Sequence, residues 1–211
     1  KMSKTMSKSG LAIVLSGLKG FESPKVREEQ YPTDSEIAAS VLWSACLLGD
    51  IGGKGVLDLG CGTGILGIGA LLLGADRVVF IDSDKSALET AKTNISKLKS
   101  EGYIIGKVKF KCQNTANIWE AKIDIVIQNP PFGTKKRNAD SSFLEKALET
   151  AQIIYSFHKS ESKGFLERFS AEKGFKITHI WGFKFPLKAS FSFHHRQIHR
   201  IDVSCFRFAK I

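Results

Sequence analysis

The chain has 211 residues, with 31 Lys plus Arg against 21 Asp plus Glu, a formal net charge of +10 and a pI near 9.5. That length provides one domain with ample core, and the excess positive charge steers it toward polyanions. No apolar run approaches a membrane span, no Pro/Ser/Gly linker or internal repeat divides the chain, and Cys46, Cys61, Cys112 and Cys205 are scattered without the paired spacing of a disulfide framework or zinc site.

Residues 1–10, rich in Lys and Ser, read as a flexible tail before a domain spanning 11–211. Leu11, Val14, Leu15 and Leu18 fall on one helical face and no small-residue cleavage site follows, which argues against a secretory leader and for a cytoplasmic protein. Periodicity predicts helices over Glu36–Leu48, Ile65–Leu73, Lys85–Lys99, Phe143–Gln152 and Ser162–Glu172. Strands are predicted over Gly55–Leu59, Arg77–Ile81, Val108–Cys112, Ile123–Gln128, Ile153–Phe157, Ile177–Phe185 and Ile201–Phe208. This alternation is the pattern of an α/β domain whose mostly parallel sheet carries helices on both faces.

The first strand runs into Asp58-Leu59-Gly60-Cys61-Gly62-Thr63-Gly64, followed by an apolar helix. Glycines at 60, 62 and 64 let the backbone approach a ligand, and the helix start offers unpaired amides. The spacing is G-x-G-x-G rather than the G-x-G-x-x-G of dinucleotide folds, and Asp58 suits a cationic ligand with a free amino group better than a pyrophosphate. Both features resemble the S-adenosylmethionine loop. Asp82, at the end of the next strand, is placed to accept from ribose hydroxyls. Asp84 reads first as the N-cap of the following helix and second as a competing cofactor contact. Cys61 reads as a small loop residue rather than a nucleophile.

Asn129-Pro130-Pro131-Phe132 closes the fourth strand. An exocyclic amine is a poor nucleophile because its lone pair is delocalised into the ring, so a catalyst must accept hydrogen bonds from it as it pyramidalises. The Asn129 side-chain oxygen and the Pro130 carbonyl are such acceptors, held by proline rigidity, and Phe132 can stack on an extruded base. Pro131 completes the rigid turn.

Taken with Glu29-Gln30-Tyr31-Pro32-Thr33, Asn129 to Thr134 read as N-P-P-F-G-T, Tyr155-Ser156-Phe157-His158-Lys159 and Phe193-His194-His195-Arg196, the chain resembles the methyltransferase-like-five family over roughly Leu18 to Phe208. The resemblance implies a Rossmann-like, seven-stranded single domain whose last strand is antiparallel. It implies S-adenosylmethionine as cofactor and N6 of an adenosine in small-subunit ribosomal RNA as target. A small zinc-binding activator protein is the implied partner. It places Gln30, Tyr31 and Thr33 near the methionine end of the cofactor, and Asn129 between cofactor and target base. Where the family carries an acidic residue for the cofactor adenine, this chain has Gln113-Asn114, of which Asn114 or Gln113 is the amide acceptor.

Lys135, Lys136 and Arg137 after the catalytic loop, and His194, His195 and Arg196 near the end, are candidate RNA phosphate contacts. Phe183, Phe185, Phe191 and Phe193 are either stacking surfaces or core, with the first two read as core. His158 is read as a substrate or structural hydrogen-bonding residue without catalytic proton transfer, because the aminium formed by methyl transfer is acidic enough to lose its proton to water. Two other substrates stay open, guanine N2 in RNA and a protein glutamine amide, as does a cofactor- or RNA-binding subunit without activity.

Overall fold

The structure, a computed structural model, describes residues 6–22, 24, 30, 32–114, 123–132, 139–187 and 199–211. Its elements are α1 (Lys8–Ser16), α2 (Ser35–Leu47), β1 (Gly55–Leu59), α3 (Ile65–Leu72), β2 (Arg77–Asp82), α4 (Lys85–Ser100), β3 (Lys107–Cys112), β4 (Ile125–Gln128), α5 (Ala139–Thr150), β5 (Ile153–Lys159), α6 (Lys163–Ala171), β6 (Phe175–Leu187) and β7 (His199–Lys210). All seven strands join one sheet in the order β3-β2-β1-β4-β5-β7-β6. Pairs from β3 across to β5 are parallel, and β7 is antiparallel to both β5 and β6. The expected α/β sheet with a single antiparallel strand is therefore what forms.

Each central strand is a short continuous apolar run, because both of its faces are covered. Every residue of β1 and β4 is buried. On one face Val56, Val78, Ile125 and Tyr155 pack with Leu15 of α1, Leu42 of α2, Ile68 of α3 and Leu88 and Ile95 of α4. On the other, Leu57, Val79, Val126 and Ile154 meet Leu144 and Leu148 of α5, Leu166 of α6 and Phe206 and Phe208 of β7. A Cβ on Gly69 of α3 would meet Leu42 Cδ1, so the glycine lets α3 and α2 pack closely without moving that leucine.

Several boundaries differ from the sequence expectation, each for a local reason. Lys8 to Gly10, read as tail, form the first turn of α1, capped by Ser7 Oγ, which accepts from Gly10 N at 3.0 Å. β4 starts at Ile125 rather than Ile123 because the Asp124 carboxylate, not a strand carbonyl, accepts the Gly55 amide at 2.6 Å. α5 begins at Ala139, before its apolar face opens at Phe143. β6 and β7 each run beyond the predicted ends, forming a long antiparallel pair with a register irregularity between Ile177 and His179. No helix among the described residues is long and apolar enough to cross a membrane.

One half-polar cluster ties the corner after α2 to β5, β6 and β7. Asp50, after α2, accepts from Tyr155 Oη at 2.6 Å and from Arg207 Nε and Nη2 at 2.8 and 3.2 Å, while Arg207 Nη1 donates to Thr178 Oγ1 at 2.7 Å. Burial and the neighbouring Asp50 carboxylate push the Tyr155 phenol well above its ordinary range. The Arg207 and Asp50 side chains are only 13% and 12% exposed, so either one left alone is an uncompensated charge. Arg207→Ala is therefore expected to lower unfolding free energy by about 3 kcal/mol, read by urea denaturation. A loss under about 0.5 kcal/mol would mean that water reaches Asp50 freely.

Candidate cofactor and methyl-transfer site

The chain runs outward through β1, β2 and β3, then returns to place β4 on the other side of β1. Ligands in such sheets bind beyond the carboxyl ends of the strands where the order reverses. In the β1–β4 register Asp58 faces Ile127, so two residues further on Gly60 and Asn129 emerge side by side. The glycine loop and the Asn-Pro-Pro-Phe segment, about seventy residues apart in sequence, thus border one crevice.

The glycine loop is organised from β2. Gly60, Gly62 and Gly64 have φ of 69°, 52° and 88°, a left-handed conformation that a side chain would strain. Gly60 N and Cys61 N both donate to the Ile81 carbonyl, at 2.8 and 3.0 Å. Asp82 accepts from Gly62 N at 2.7 Å through Oδ2 and from Asp84 N at 2.8 Å through Oδ1. The residue expected at the ribose therefore also shapes the loop. Asp84 caps α4, accepting from Ser86 N at 3.0 Å, as its first reading had it. It also accepts from Gln30 Nε2 at 2.9 Å.

Asp58 is 1% exposed, and its Oδ2 accepts the Gly67 amide in the first turn of α3 at 2.7 Å. It thereby satisfies an amide that Gly64, which has no side chain to do so, leaves open. Burial drives its carboxyl pKa up to about 7; the Gly67 bond opposes the rise and the Asp82 charge adds to it. A cation beside Asp58 would restore the ionised form. Burial and the Asp58 and Asp82 carboxylates push the Cys61 thiol well above its ordinary range, which favours the unreactive thiol over the thiolate.

Across the crevice Asn129 Nδ2 donates to Thr33 Oγ1 at 2.9 Å. This bond orients the amide and leaves Asn129 Oδ1 buried, with no hydrogen-bond partner among the described residues. Pro130 is buried and Pro131 half-buried. Phe132 is 5% exposed and meets Phe185 edge-on at 5.9 Å between centroids, so its ring is anchored in the core. Behind Asn129, Gln128 Nε2 donates to Ser156 Oγ at 2.9 Å, and Ser156 Oγ lies 2.7 Å from His158 Nε2. All three are at most 2% exposed, which gives His158 the structural hydrogen-bonding role.

Gln30 Nε2 donates to Asp84 at the start of α4, and Thr33 Oγ1 accepts from Asn129 just beyond β4. Gln113 N donates to the Asp82 carbonyl at 3.0 Å and Asn114 is exposed just beyond β3. Phe185 is core, and Phe183 is half-buried against Phe157. Tyr31, Lys135, Lys136, Arg137, Phe191, Phe193, His194, His195 and Arg196 lie outside the described residues. Sequence reasoning overlooked Asn94, 1% exposed on α4; its signal was a polar residue on the apolar stripe of Ala87, Ala91, Ile95 and Leu98.

A family model described as the methyltransferase small domain matches residues 36–154. The rRNA N(6)-adenosine-methyltransferase Mettl5 of Drosophila melanogaster is 36% identical over 92% of this chain and 92% of its own. The chain belongs to the methyltransferase-like-five family. Another member, the rRNA N(6)-adenosine-methyltransferase METTL5 of Danio rerio, is 35% identical over 90% of this chain and 92% of its own. Among solved structures, a candidate RNA methyltransferase of Pyrococcus horikoshii superposes with a TM-score of 0.86 at 43% identity, covering 97% of this chain and 98% of that one.

For this family member the raised Asp58 pKa has a measurable sign. Below about pH 4 both folded and unfolded Asp58 are protonated; as pH rises toward 7 the unfolded chain ionises first, so the folded state loses stability, by roughly 1 kcal/mol per pH unit. Above about 7 the loss levels off. In cofactor-free protein, denaturation between pH 5 and 8 should show Asp58→Asn gaining on the parent chain up to about pH 7 and then holding a constant difference. Parallel curves for the two chains throughout would show that Asp58 ionises at an ordinary pH.

Proposed function

We propose that this protein transfers a methyl group from S-adenosylmethionine to N6 of an adenosine in ribosomal RNA, of the small subunit, and that it works in the cytoplasm where both reactants are found. The observation that carries this reading is the Asn129 amide, its nitrogen committed to Thr33 and its buried oxygen left to accept from an amine. An unsatisfied buried acceptor costs stability, and one at the mouth of a cofactor crevice is repaid when substrate supplies the missing donor. The named relatives act on ribosomal RNA adenosines.

The cofactor-side residues fit a sulfonium nucleoside. A left-handed glycine loop gives the close approach, Asp82 at the end of β2 stands at the base of that loop as the residue assigned to the ribose, and buried Asp58 gains from a nearby ammonium. Gly60, Gly62 and Gly64 would border the amino-acid portion, with Asn114 or Gln113 assigned to the adenine and, by the resemblance, Gln30, Tyr31 and Thr33 to the methionine end. When bound, S-adenosylmethionine supplies an electrophilic methyl on a good leaving group. Asn129 Oδ1 and the Pro130 carbonyl accept the two N6 hydrogens, which frees the lone pair by turning the amine out of conjugation. The amine so held would take the methyl that S-adenosylmethionine supplies, leaving the thioether behind, and would then release its proton to water. Pro131 and the core-anchored Phe132 hold those acceptors still, with Phe132 forming the floor beneath a flipped base.

RNA phosphates are assigned to Lys135, Lys136, Arg137, His194, His195 and Arg196. A small zinc-binding activator protein belongs to the same reading. β3 is one of the two terminal strands of the sheet, and Ile104 in the loop before it is 73% exposed, which supports docking by strand addition.

Labelled methyl transfer to ribosomal RNA, followed by digestion to nucleosides, tests the reaction with and without the activator. Label in N6-methyladenosine is expected; label in a methylguanosine or in protein would replace the substrate. Asn129→Ala should lower kcat by roughly 10²- to 10³-fold with little change in cofactor affinity. Thr33→Val should lower kcat by about tenfold, because it loosens the amide of Asn129. If instead KM for S-adenosylmethionine rises while kcat holds, Thr33 serves the cofactor and not Asn129.

A further inference from the structure

Asn94 uses its whole amide on backbone that belongs to two different segments. Oδ1 accepts from Lys19 N at 2.8 Å, while Nδ2 donates to the Lys19 carbonyl at 3.0 Å and to the Thr63 carbonyl at 3.2 Å. One turn further along α4, Lys97 Nζ donates to the Gly17 carbonyl at 2.9 Å. The stretch from Gly17 to Phe21, which follows α1, is thus strapped along α4 and led to the glycine loop. There the Phe21 ring meets Gly62 so closely that a Cβ on that glycine would lie 2.7 Å from Phe21 Cζ. On its amide side the same glycine is held by Asp82 Oδ2. Gly62 is therefore gripped between an aromatic ring and a carboxylate, and its neighbour Thr63 is tied to the strap through Asn94.

We propose that Asn94 and Phe21 are positioning residues for cofactor capture, Asn94 by clamping the Lys19–Phe21 strap to the glycine loop and Phe21 by fixing Gly62 in its left-handed conformation. The inference rests on the methyltransferase reading above and adds to it residues that touch neither reacting atom. A loop of three glycines is costly to order because glycine loses more backbone freedom than any other residue. A strap that orders it before the cofactor arrives removes that cost from binding.

The test is equilibrium binding of S-adenosylhomocysteine by calorimetry, without RNA, to the full chain and to Asn94→Ala, Phe21→Ala and the double variant. Each single change is expected to weaken binding about tenfold. The double variant is expected to be no more than about tenfold weaker as well, since both act through one strap. RNA affinity measured without cofactor should not move, which a general loss of structure would not allow. If Asn94→Ala does not fold, Phe21→Ala decides alone, because its half-buried ring can be removed with every Asn94 bond in place. Binding within about twofold of the parent chain, or losses that multiply to about a hundredfold in the double variant, would overturn the strap. No binding by the parent chain would instead remove the methyltransferase reading, and the strap's role with it.

Discussion

The parallel pairing of β1 with β4 is the constraint on which the rest of the structure depends. Its three partner pairs, Val56 with Ile125, Leu57 with Val126 and Asp58 with Ile127, are apolar apart from Asp58, and they fix which residues surface together at the carboxyl end. A slip of one residue would turn the side chains of β4 to the opposite face and move Asn129 away from Gly60. The intervening α3, β2, α4 and β3 fill one side of β1 completely, so β4 has only the other side to take. The crevice follows from that order reversal, bordered by the two strand ends it exposes.

Polar groups enter this core where they hold the strand ends or the loops above them. Asp58 takes a helix amide, Asn94 takes three backbone groups, and Gln128, Ser156 and His158 form a chain behind the Asn129–Phe132 segment. Apolar residues in their places would pack as well, but would leave those amides and carbonyls unmatched. The cost appears as a carboxyl whose pKa has risen to about 7 in the free protein. Free energy withheld from folding at such a group is returned when a ligand of opposite charge arrives.

Continuous apolar runs and glycine spacing made β1, β2 and the loop between them readable from sequence, and the Asn-Pro-Pro-Phe tetrapeptide marked the facing strand end. These are local patterns, and local patterns carry their own geometry. What stayed hidden was set by residues far apart. Nothing in the periodicity around Thr33 announces a bond to Asn129, 96 positions later, nor does Gln30 announce Asp84, 54 positions on. Asn94 carried a visible anomaly, a polar side chain on an apolar stripe, yet its partners Lys19 and Thr63 follow only from the folded path of the chain. The start of β4 failed for a smaller reason, since the period shows Asp124 as a strand residue and not the use of its side chain in place of a backbone carbonyl.

The Asp50–Arg207 pair has a bearing on the order of events during synthesis. Its members stand 157 positions apart, so a chain growing from its N-terminus presents Asp50 long before the guanidinium exists. At roughly 5–20 residues per second the interval is about 8 to 30 s. Through that time the α2–β1 corner holds a carboxylate that cannot be buried without its cation, and Tyr155 reaches it only after a hundred further residues have been added. The helical layer around β1 can collapse earlier, while the pair itself closes only once β7 has been made. The pair thus acts as a latch that shuts late, and it reserves the final packing of the sheet for a chain that already contains the antiparallel strand.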